Sequence, residues 1–298
     1  MQYRDGRSFT ATEMHILDCT PHAEGALPGT SERLAKLIHD KRLFTLGTNL
    51  HVRRCESRQD ILSQLRAIGD RARAGSMPLL HLDGHASPKE LAAANDERVD
   101  WDDVYALFRA INIACGNNLF VSMGLCEALG SIDRCRLSEP CPVAALLAAW
   151  DPLLESHVEI GFQSFYAELV EKDGDIDAAL AVLQRKLDPC PLMFFSSKYY
   201  FEVLARGYVE DRCIGPGFDA RVNRLLEQAA AGRPEQTITR EMVTRVLAKE
   251  VENTPAYLRW KARRFLHMDA SPENEQRFAP EVEAVIGQVE AMLGNAGC

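Results

Sequence analysis

Two residues near the middle of the chain have the types that nucleophilic catalysis requires, His85 and Cys126. A cysteine nucleophile needs a nearby base to take its proton and N–H donors to hold the oxyanion that forms on a substrate carbonyl. His85 follows the apolar run 77–82, and Cys126 follows the apolar run 118–125. If these runs are neighbouring strands, the pair can meet, and the backbone N–H groups of Ala86 and Cys126 can serve as oxyanion donors. The same two residues also fit an inert buried cysteine and a structural histidine.

A second set of donors overlaps the first. His81, Asp83 and His85 are spaced i, i+2, i+4, so they project from one face if the strand continues through them. Two imidazoles and a carboxylate can ligate zinc or iron. Gly84 is expected to break the strand, however, and no further His or Glu cluster suggests a completing ligand. We therefore favour the thiol over the metal and predict no metal or other cofactor.

Asp151 follows a third apolar run, 143–150, and precedes Pro152. The residue type fits a turn former before a proline. It also fits a carboxylate that lines a substrate pocket and favours a basic residue there by charge pairing. Both interpretations stay open.

The elements that must position these residues alternate between strand-like and helix-like patterns. Amphipathic helical segments of about a dozen residues separate the apolar runs, which predicts a mostly parallel sheet covered by helices on both faces. The carboxyl ends of such strands share one edge, where ligands bind. The predicted strands are 14–19, 50–55, 77–82, 118–125 and 143–150.

Beyond Gly161 the pattern becomes helical, and from Pro191 onward it predicts helices without a strand. The Asp-Pro-Cys-Pro segment at 188–191 is the best candidate for a boundary. The sequence thus predicts an α/β domain over residues 1–187 and a helical C-terminal region over 188–298.

Composition excludes several classes of protein. The 34 basic and 43 acidic residues give a net charge of −9, which argues against a nucleic-acid-binding protein. No apolar run is long enough to span a membrane. The first ten residues contain no apolar signal core, so export by that route is not expected. Nine irregularly spaced cysteines without a CxxC pair fit reduced thiols in the cytoplasm better than a disulfide framework or a structural zinc site.

Four blocks of sequence, taken in order, resemble the caspase-like cysteine peptidases, and among them the bacterial CHAT-type domains related to caspases and separases. In that family one apolar strand ends in His-Gly and the next in a small residue followed by Cys. A third strand ends near Trp, and a helix with Phe-Tyr-x-x-Leu follows. The resemblance covers about residues 10 to 187. The blocks are MPLLHLDGHA (77–86), NLFVSMGLCEALG (118–130), VAALLAAWDPL (143–153) and GFQSFYAELV (161–170).

The resemblance implies that Cys126 is the nucleophile, that His85 is the base, and that the N–H groups of Ala86 and Cys126 hold the oxyanion. It implies a cysteine endopeptidase that cuts a protein or peptide substrate, such as a partner encoded nearby, in a bacterial defence or cell-death pathway. Two residues depart from the family pattern: Ala86 replaces the glycine after the histidine, and Leu125 replaces a small residue before the cysteine. These departures leave a catalytically inactive scaffold that binds a protein partner as the first alternative. A metal-dependent hydrolase built on His81, Asp83 and His85 is the second.

Overall fold

A computed structural model describes five segments of the chain. Two sequence-based expectations lie wholly or partly outside them: the absence of a signal segment, which rests on the first ten residues, and a helix that the apolar spacing predicts over residues 31–44, of which 41–44 are not described. The described segments are residues 11–21, 29–40, 49–172, 174–232 and 237–295.

The core of the α/β part is a six-stranded sheet with the strand order β2-β1-β3-β6-β7-β8. The first five of these strands in that order are parallel to their neighbours, and β8 runs antiparallel to β7. A separate antiparallel pair, β4 and β5, follows β3. The strands are β1 (Glu13–Asp18), β2 (Leu50–Arg54), β3 (Pro78–Asp83), β4 (Glu90–Ala92), β5 (Arg98–Asp100), β6 (Phe120–Gly124), β7 (Ala145–Ala149) and β8 (Leu192–Ser196).

Helices connect the parallel strands, and a 3₁₀ helix, Ala128–Arg134, follows β6. The α-helices are α1 (Thr30–Asp40), α2 (Arg58–Arg73), α3 (Trp101–Ala114), α4 (Glu155–Glu171), α5 (Ile176–Lys186), α6 (Ser197–Arg212), α7 (Gly215–Gly232), α8 (Arg240–Glu252), α9 (Thr254–Phe265) and α10 (Pro272–Asn295). The predicted α/β class, the mostly parallel sheet and the helical C-terminal region are therefore confirmed.

Local sequence signals explain where these elements begin and what they bury. Ser57 caps α2: its side chain accepts the Asp60 N–H, and the Asp60 carboxylate accepts the Ser57 N–H, which is a complete capping box. The central strands β3, β6 and β7 are buried at every position, as expected for parallel strands covered on both faces. The aromatic stripe of α4, at positions 162, 165 and 166, packs into the core below the sheet.

One strand contradicts the sequence-based expectation of helices alone after Pro191. The run Leu192–Ser196 (LMFFS) is β8 and pairs with β7 from Ala149 to Ala145. Four apolar residues and a serine that lead without a turn into a helix have no periodicity that separates a strand from the first turn of that helix. The missing signal is the pairing partner, which lies more than forty residues earlier.

The chain divides into two compact units. The α/β unit contains the sheet and reaches Ser196, whereas the helical unit begins at Ser197 and includes the short segment Arg136–Pro140. The sequence placed its boundary between residues 187 and 188, before β8. The helical unit comprises α6 to α10, with its own buried residues such as Phe201, Phe265 and Ile286. Among the described helices, none combines the length and the apolar character that crossing a bilayer would need.

Candidate active site

The strands that carry His85 and Cys126 are direct neighbours. β3 and β6 pair in parallel, and the last pair in their register is Asp83 with Gly124. His85 and Cys126 each come two residues after this last pair, so both follow the carboxyl end of their strand. The expected adjacency of these two strands is confirmed, and the two side chains leave the sheet at the same edge.

A buried polar cluster joins β3 to β6 below this edge. His81 Nδ1 lies 2.8 Å from the Ser122 hydroxyl and 3.3 Å from the Tyr166 hydroxyl, and the two hydroxyls are hydrogen-bonded to each other. His81 and Ser122 are also opposite each other in the strand register. Burial lowers the pKa of His81 to about 3, so the ring is neutral at physiological pH. The cluster therefore fixes the two strands against each other four residues before His85 and Cys126.

Gly84 turns the chain out of β3. Its φ is +150°, and a Cβ atom there would lie 2.9 Å from Cys19 Cβ and 3.0 Å from the Cys19 carbonyl carbon. A residue with a side chain would meet both a backbone strain and a backbone clash at this position. The strand thus ends at Asp83, as the sequence predicted, and His85 lies on the surface.

This turn separates the three candidate metal ligands that the sequence suggested, His81, Asp83 and His85. The His81 ring is occupied by Ser122 and Tyr166, and Asp83 accepts hydrogen bonds from Thr30 and from Ser31, the latter at 2.8 Å. Burial raises the pKa of Asp83 against the effect of these hydrogen bonds. Within the described segments, the three residues do not form a group with the spacing of metal ligands.

The Cys126 thiol contacts the backbone N–H and C=O groups of one residue in the loop after β7, Leu153. The Leu153 N–H donates a hydrogen bond to Cys126 Sγ at 3.3 Å. The Cys126 S–H in turn donates a weak hydrogen bond to the Leu153 carbonyl oxygen, at 3.9 Å. The thiol is partly exposed, whereas the preceding Leu125 side chain is fully buried in the core. The bulky residue before the cysteine is therefore accommodated inside the protein.

The residue after the cysteine makes a sharp turn. Glu127 has φ = +53°, in the left-handed region. This backbone conformation costs a residue other than glycine about 1–2 kcal/mol. Its N–H contacts the Asp151 carbonyl oxygen at 3.4 Å, and the 3₁₀ helix begins at the next residue. Backbone strain of this kind persists only where the surrounding structure holds the residue in place. Strained residues of this kind are found often at functional sites.

The His85 ring is exposed and has no hydrogen bond or ion pair with any side chain in the described part of the chain. The imidazole therefore makes no hydrogen bond with the Cys126 sulfur, which accepts a hydrogen bond from the Leu153 N–H instead. The register brings the two strand ends together, but no third side chain orients the imidazole. Catalytic hydrogen bonds are often loose in a free enzyme and tighten with substrate.

The Ala86 N–H points away from its nearest backbone neighbours. Ala86 lies in an antiparallel bridge to β4. The flanking residues make the bonds of this bridge: Ser87 N–H donates to Glu90 O, and Ala92 N–H donates to His85 O, both at 2.9 Å. Ala86 is therefore at a non-hydrogen-bonded position, whose N–H is directed outward. Ala86 is also not among the described residues with positive φ, so an alanine fits there without backbone strain.

Asp151 lies in the exposed loop after β7, and its backbone contacts the residue that follows Cys126. Its carbonyl oxygen contacts the Glu127 N–H, and its carboxylate has no ion pair among the described residues. Two large apolar side chains flank it in the same loop: Trp150 is 46% exposed and Leu154 is 62% exposed. The loop therefore offers one free carboxylate and an apolar surface beside Cys126.

Sequence analysis missed the contribution of Leu153 and the turn at Glu127. Leu153 acts through its backbone N–H and C=O, which every residue other than proline carries, so no residue type marks it. Glu127 is not one of the residue types that favour the left-handed region. The only signal was indirect: Pro152 restricts the loop that returns the chain to Cys126.

No protein-family model matches this chain, and the comparison with curated proteins finds no match either. The resemblance to caspase-like peptidases therefore stays a sequence-based expectation that the four sequence blocks carry.

Proposed function

We propose that the protein is a cysteine peptidase in which Cys126 attacks a peptide carbonyl and His85 acts as the base. The observation that carries this proposal is the parallel pairing of β3 with β6, in which both residues follow the last pair, Asp83 and Gly124, by the same number of positions. A general base must approach its nucleophile to within hydrogen-bond distance when substrate binds. Both residues leave the same sheet edge from adjacent strands, and the His85 ring is exposed and held by no hydrogen bond among the described residues, so it is free to turn toward the sulfur.

The surroundings of the sulfur support a nucleophilic role. Cys126 is one of two partly exposed thiols among the described cysteines, the other being Cys190. The thiolate is the reactive form, and an N–H donor directed at sulfur stabilises its charge. The Leu153 N–H at 3.3 Å supplies such a donor.

Two backbone N–H groups are available for the oxyanion. The Ala86 N–H lies at a non-hydrogen-bonded bridge position, and the Cys126 N–H donates no hydrogen bond to another residue in the described segments. Both belong to the turns that follow β3 and β6. Donors fixed at the start of the reaction stabilise the developing charge without having to reorganise.

The reaction then proceeds in two stages. His85 takes the thiol proton while Cys126 Sγ bonds to the substrate carbonyl carbon, and the carbonyl oxygen becomes an oxyanion. The C–N bond breaks when the leaving amine receives the proton from His85, which leaves a thioester. A water molecule gives a proton to His85 and attacks the thioester carbon; the C–S bond breaks, and the proton returns to the sulfur.

The substrate in this proposal is a protein or peptide segment that lies along the loop after β7. Trp150 and Leu154 provide exposed apolar contacts, and the unpaired Asp151 carboxylate favours a basic residue in the substrate. We place the reaction in the cytoplasm, since all eight described cysteines are free thiols, the state that a reducing compartment maintains. No metal or other cofactor takes part in this mechanism.

The test combines a thiol-directed acyl probe with cleavage of a peptide library read by mass spectrometry. We expect Cys126→Ala to abolish probe labelling and cleavage, and His85→Gln to reduce the cleavage rate by about 10²–10⁴-fold. Cys190→Ala is the matched control, because it removes the other partly exposed thiol and is expected to leave both signals unchanged. Labelling of equal strength in all three variants and the wild type would refute the proposal.

A non-catalytic scaffold is the second candidate function. One observation favours it: the Cys126 sulfur is hydrogen-bonded to the backbone of Leu153 and not to His85. In that case the exposed apolar loop with Trp150 and Leu154 binds a partner without cleaving it. The two functions differ in one measurement. A scaffold binds its partner equally well with Cys126→Ala or wild type and releases no fragment, whereas a peptidase yields cleaved product from the wild type alone.

A further inference from the structure

A compact set of imidazole and carboxylate side chains lies near the amino-terminal ends of β1 and of the edge strand β2, which pairs with it. Glu13 and His15 are two residues apart on β1, so both project from the same face. His51 is opposite His15 in the register of β2. The donor atoms of these three residues all lie within 4.8 Å of one another.

The geometry inside this cluster suits a small ion with nitrogen and oxygen ligands. His15 Nε2 is 3.0 Å from Glu13 Oε1, and His51 Nε2 is 3.7 Å from Glu13 Oε2. Tetrahedral zinc with bonds of about 2.0–2.2 Å separates its ligand atoms by about 3.4 Å, a value between these two distances. The His15 and His51 rings are stacked with centroids 4.7 Å apart, so a small rotation of the more exposed His51 ring directs both nitrogens at one point.

One donor of the set is buried without a satisfactory partner. His15 is 4% exposed, and its Nε2 atom makes no well-directed hydrogen bond among the described residues. Buried polar atoms are nearly always hydrogen-bonded, so an exception of this kind calls for an explanation. An ion bound between His15 and Glu13 would satisfy this nitrogen.

The charge that balances Glu13 belongs to a partly exposed arginine, Arg71. The Arg71 guanidinium of α2 contacts Glu13 through Nε, at 2.9 and 3.1 Å, and through Nη2, which also lies 3.2 Å from His51 Nε2. The Arg71 side chain is 48% exposed, whereas that of Glu13 is 3% exposed. The arginine can therefore swing into solvent and leave the carboxylate to another cation.

The protonation states agree with this use. Although burial alone would raise it, the hydrogen bonds from Arg71 and the close approach of the His15 ring lower the pKa of Glu13 to about 2. Burial lowers the pKa of His15 despite the nearby Glu13, and burial also lowers the pKa of His51. Metal ligands must be an ionised carboxylate and neutral imidazoles.

We propose that Glu13, His15 and His51 form a binding site for a divalent transition-metal ion, zinc by its donor chemistry, in which the ion displaces Arg71 from Glu13. Two imidazoles and one carboxylate leave a fourth coordination position for water on the exposed side, next to His51. The site is separate from Cys126 and His85, and the proposal does not depend on peptidase activity.

The experiment titrates tag-free protein, stripped with a chelator and dialysed, with Zn²⁺ in competition with a chromophoric chelator. We expect one equivalent to bind, and His51→Gln to weaken binding by more than about 100-fold, since even the loss of a residue that only supports a ligand costs about 10–100-fold. His39→Gln is the matched control, because it removes an exposed histidine of α1 and is expected to leave the affinity unchanged. Arg71→Met is expected to tighten binding, because it removes the competing cation.

Cobalt substitution identifies the ligand atoms. Co²⁺ in the proposed site gives visible absorption bands without the near-ultraviolet charge-transfer band of a thiolate ligand, and zinc raises the unfolding temperature of the wild type but not of His51→Gln. Unchanged affinity in His51→Gln, a thiolate band, or the absence of saturable binding in both the wild type and Arg71→Met would each overturn the proposal. Arg71→Met keeps all three ligands, including the buried Glu13. The zinc affinity of this variant therefore tests the site without removing a buried ligand that the fold needs.

Discussion

The buried imidazole of His81 makes the stability of the α/β unit depend on pH in a way that one substitution can isolate. In the folded protein burial lowers the pKa of His81 from 6.5 to about 3. In the unfolded chain the ring regains an ordinary pKa, so unfolding takes up a proton at any pH between these values. The contribution of His81 to stability is therefore fully present above pH 6.5 and is lost as the pH falls toward 3.

The magnitude follows from these two pKa values. Between pH 7 and pH 5 the proton uptake of one such group lowers the free energy of unfolding by about 2 kcal/mol. His81→Gln keeps a side chain that can hydrogen-bond with Ser122 and cannot titrate in this range. We expect the difference in free energy of unfolding between the wild type and this variant to shift by about 2 kcal/mol over the two pH units.

Urea denaturation at pH 7, 6 and 5 measures this difference. Because the chain has three tryptophans, the background substitution Trp260→Phe restricts the fluorescence to Trp101 and Trp150 of the α/β unit. His39→Gln serves as the control for the mere loss of a histidine from the exposed end of α1. Curves for wild type and His81→Gln that stay parallel from pH 7 to pH 5 would show that burial does not hold the ring neutral, and the reasoning would fail.

Three other substitutions test the local structure at Gly84, Gly69 and Ser57. Gly84→Ala is expected to lower the free energy of unfolding by about 3 kcal/mol, because the added Cβ meets Cys19 at 2.9 Å in a backbone conformation that favours glycine; Gly69→Ala in α2, where the added Cβ makes ordinary contacts, should instead raise it by about 0.5–1 kcal/mol. Ser57→Ala removes the capping box with Asp60 and should cost about 1 kcal/mol in the same urea assay. A Gly84→Ala protein as stable as Gly69→Ala, or a Ser57→Ala protein as stable as the wild type, would contradict these assignments.

Periodicity was enough to predict most of the sheet. The five parallel strands combine apolar runs with flanking turns and amphipathic helices, and each of these signals lies within a few residues of the strand itself. The antiparallel strand β8 escaped prediction because its identity depends on pairing with β7, a contact between segments distant in the chain. The domain boundary differs for the same reason: the segment after residue 187 first completes the sheet and only then enters the helices.

The candidate site was predictable only as far as side chains mark it. Residue types indicated His85 and Cys126, and the sheet brings their strands together. Residue types did not indicate the hydrogen bonds of the Leu153 backbone or the left-handed turn at Glu127, because both are properties of the backbone. The cluster of Glu13, His15 and His51 escaped for another reason: two of its residues are close in sequence, but the third joins them only through the register of β1 with β2.

The cluster of His81, Ser122 and Tyr166 has a kinetic consequence. If Ser122 donates a hydrogen bond to His81 Nδ1, and Tyr166 donates one to Ser122, each hydroxyl proton in the cluster is held between buried heavy atoms. Such protons exchange with water only when the structure opens around them. Their exchange rates, measured by NMR, would therefore report how often β3 and β6 separate. Those events would also pull apart the two strand ends from which His85 and Cys126 emerge, so the lifetime of the candidate site can be timed without any substrate.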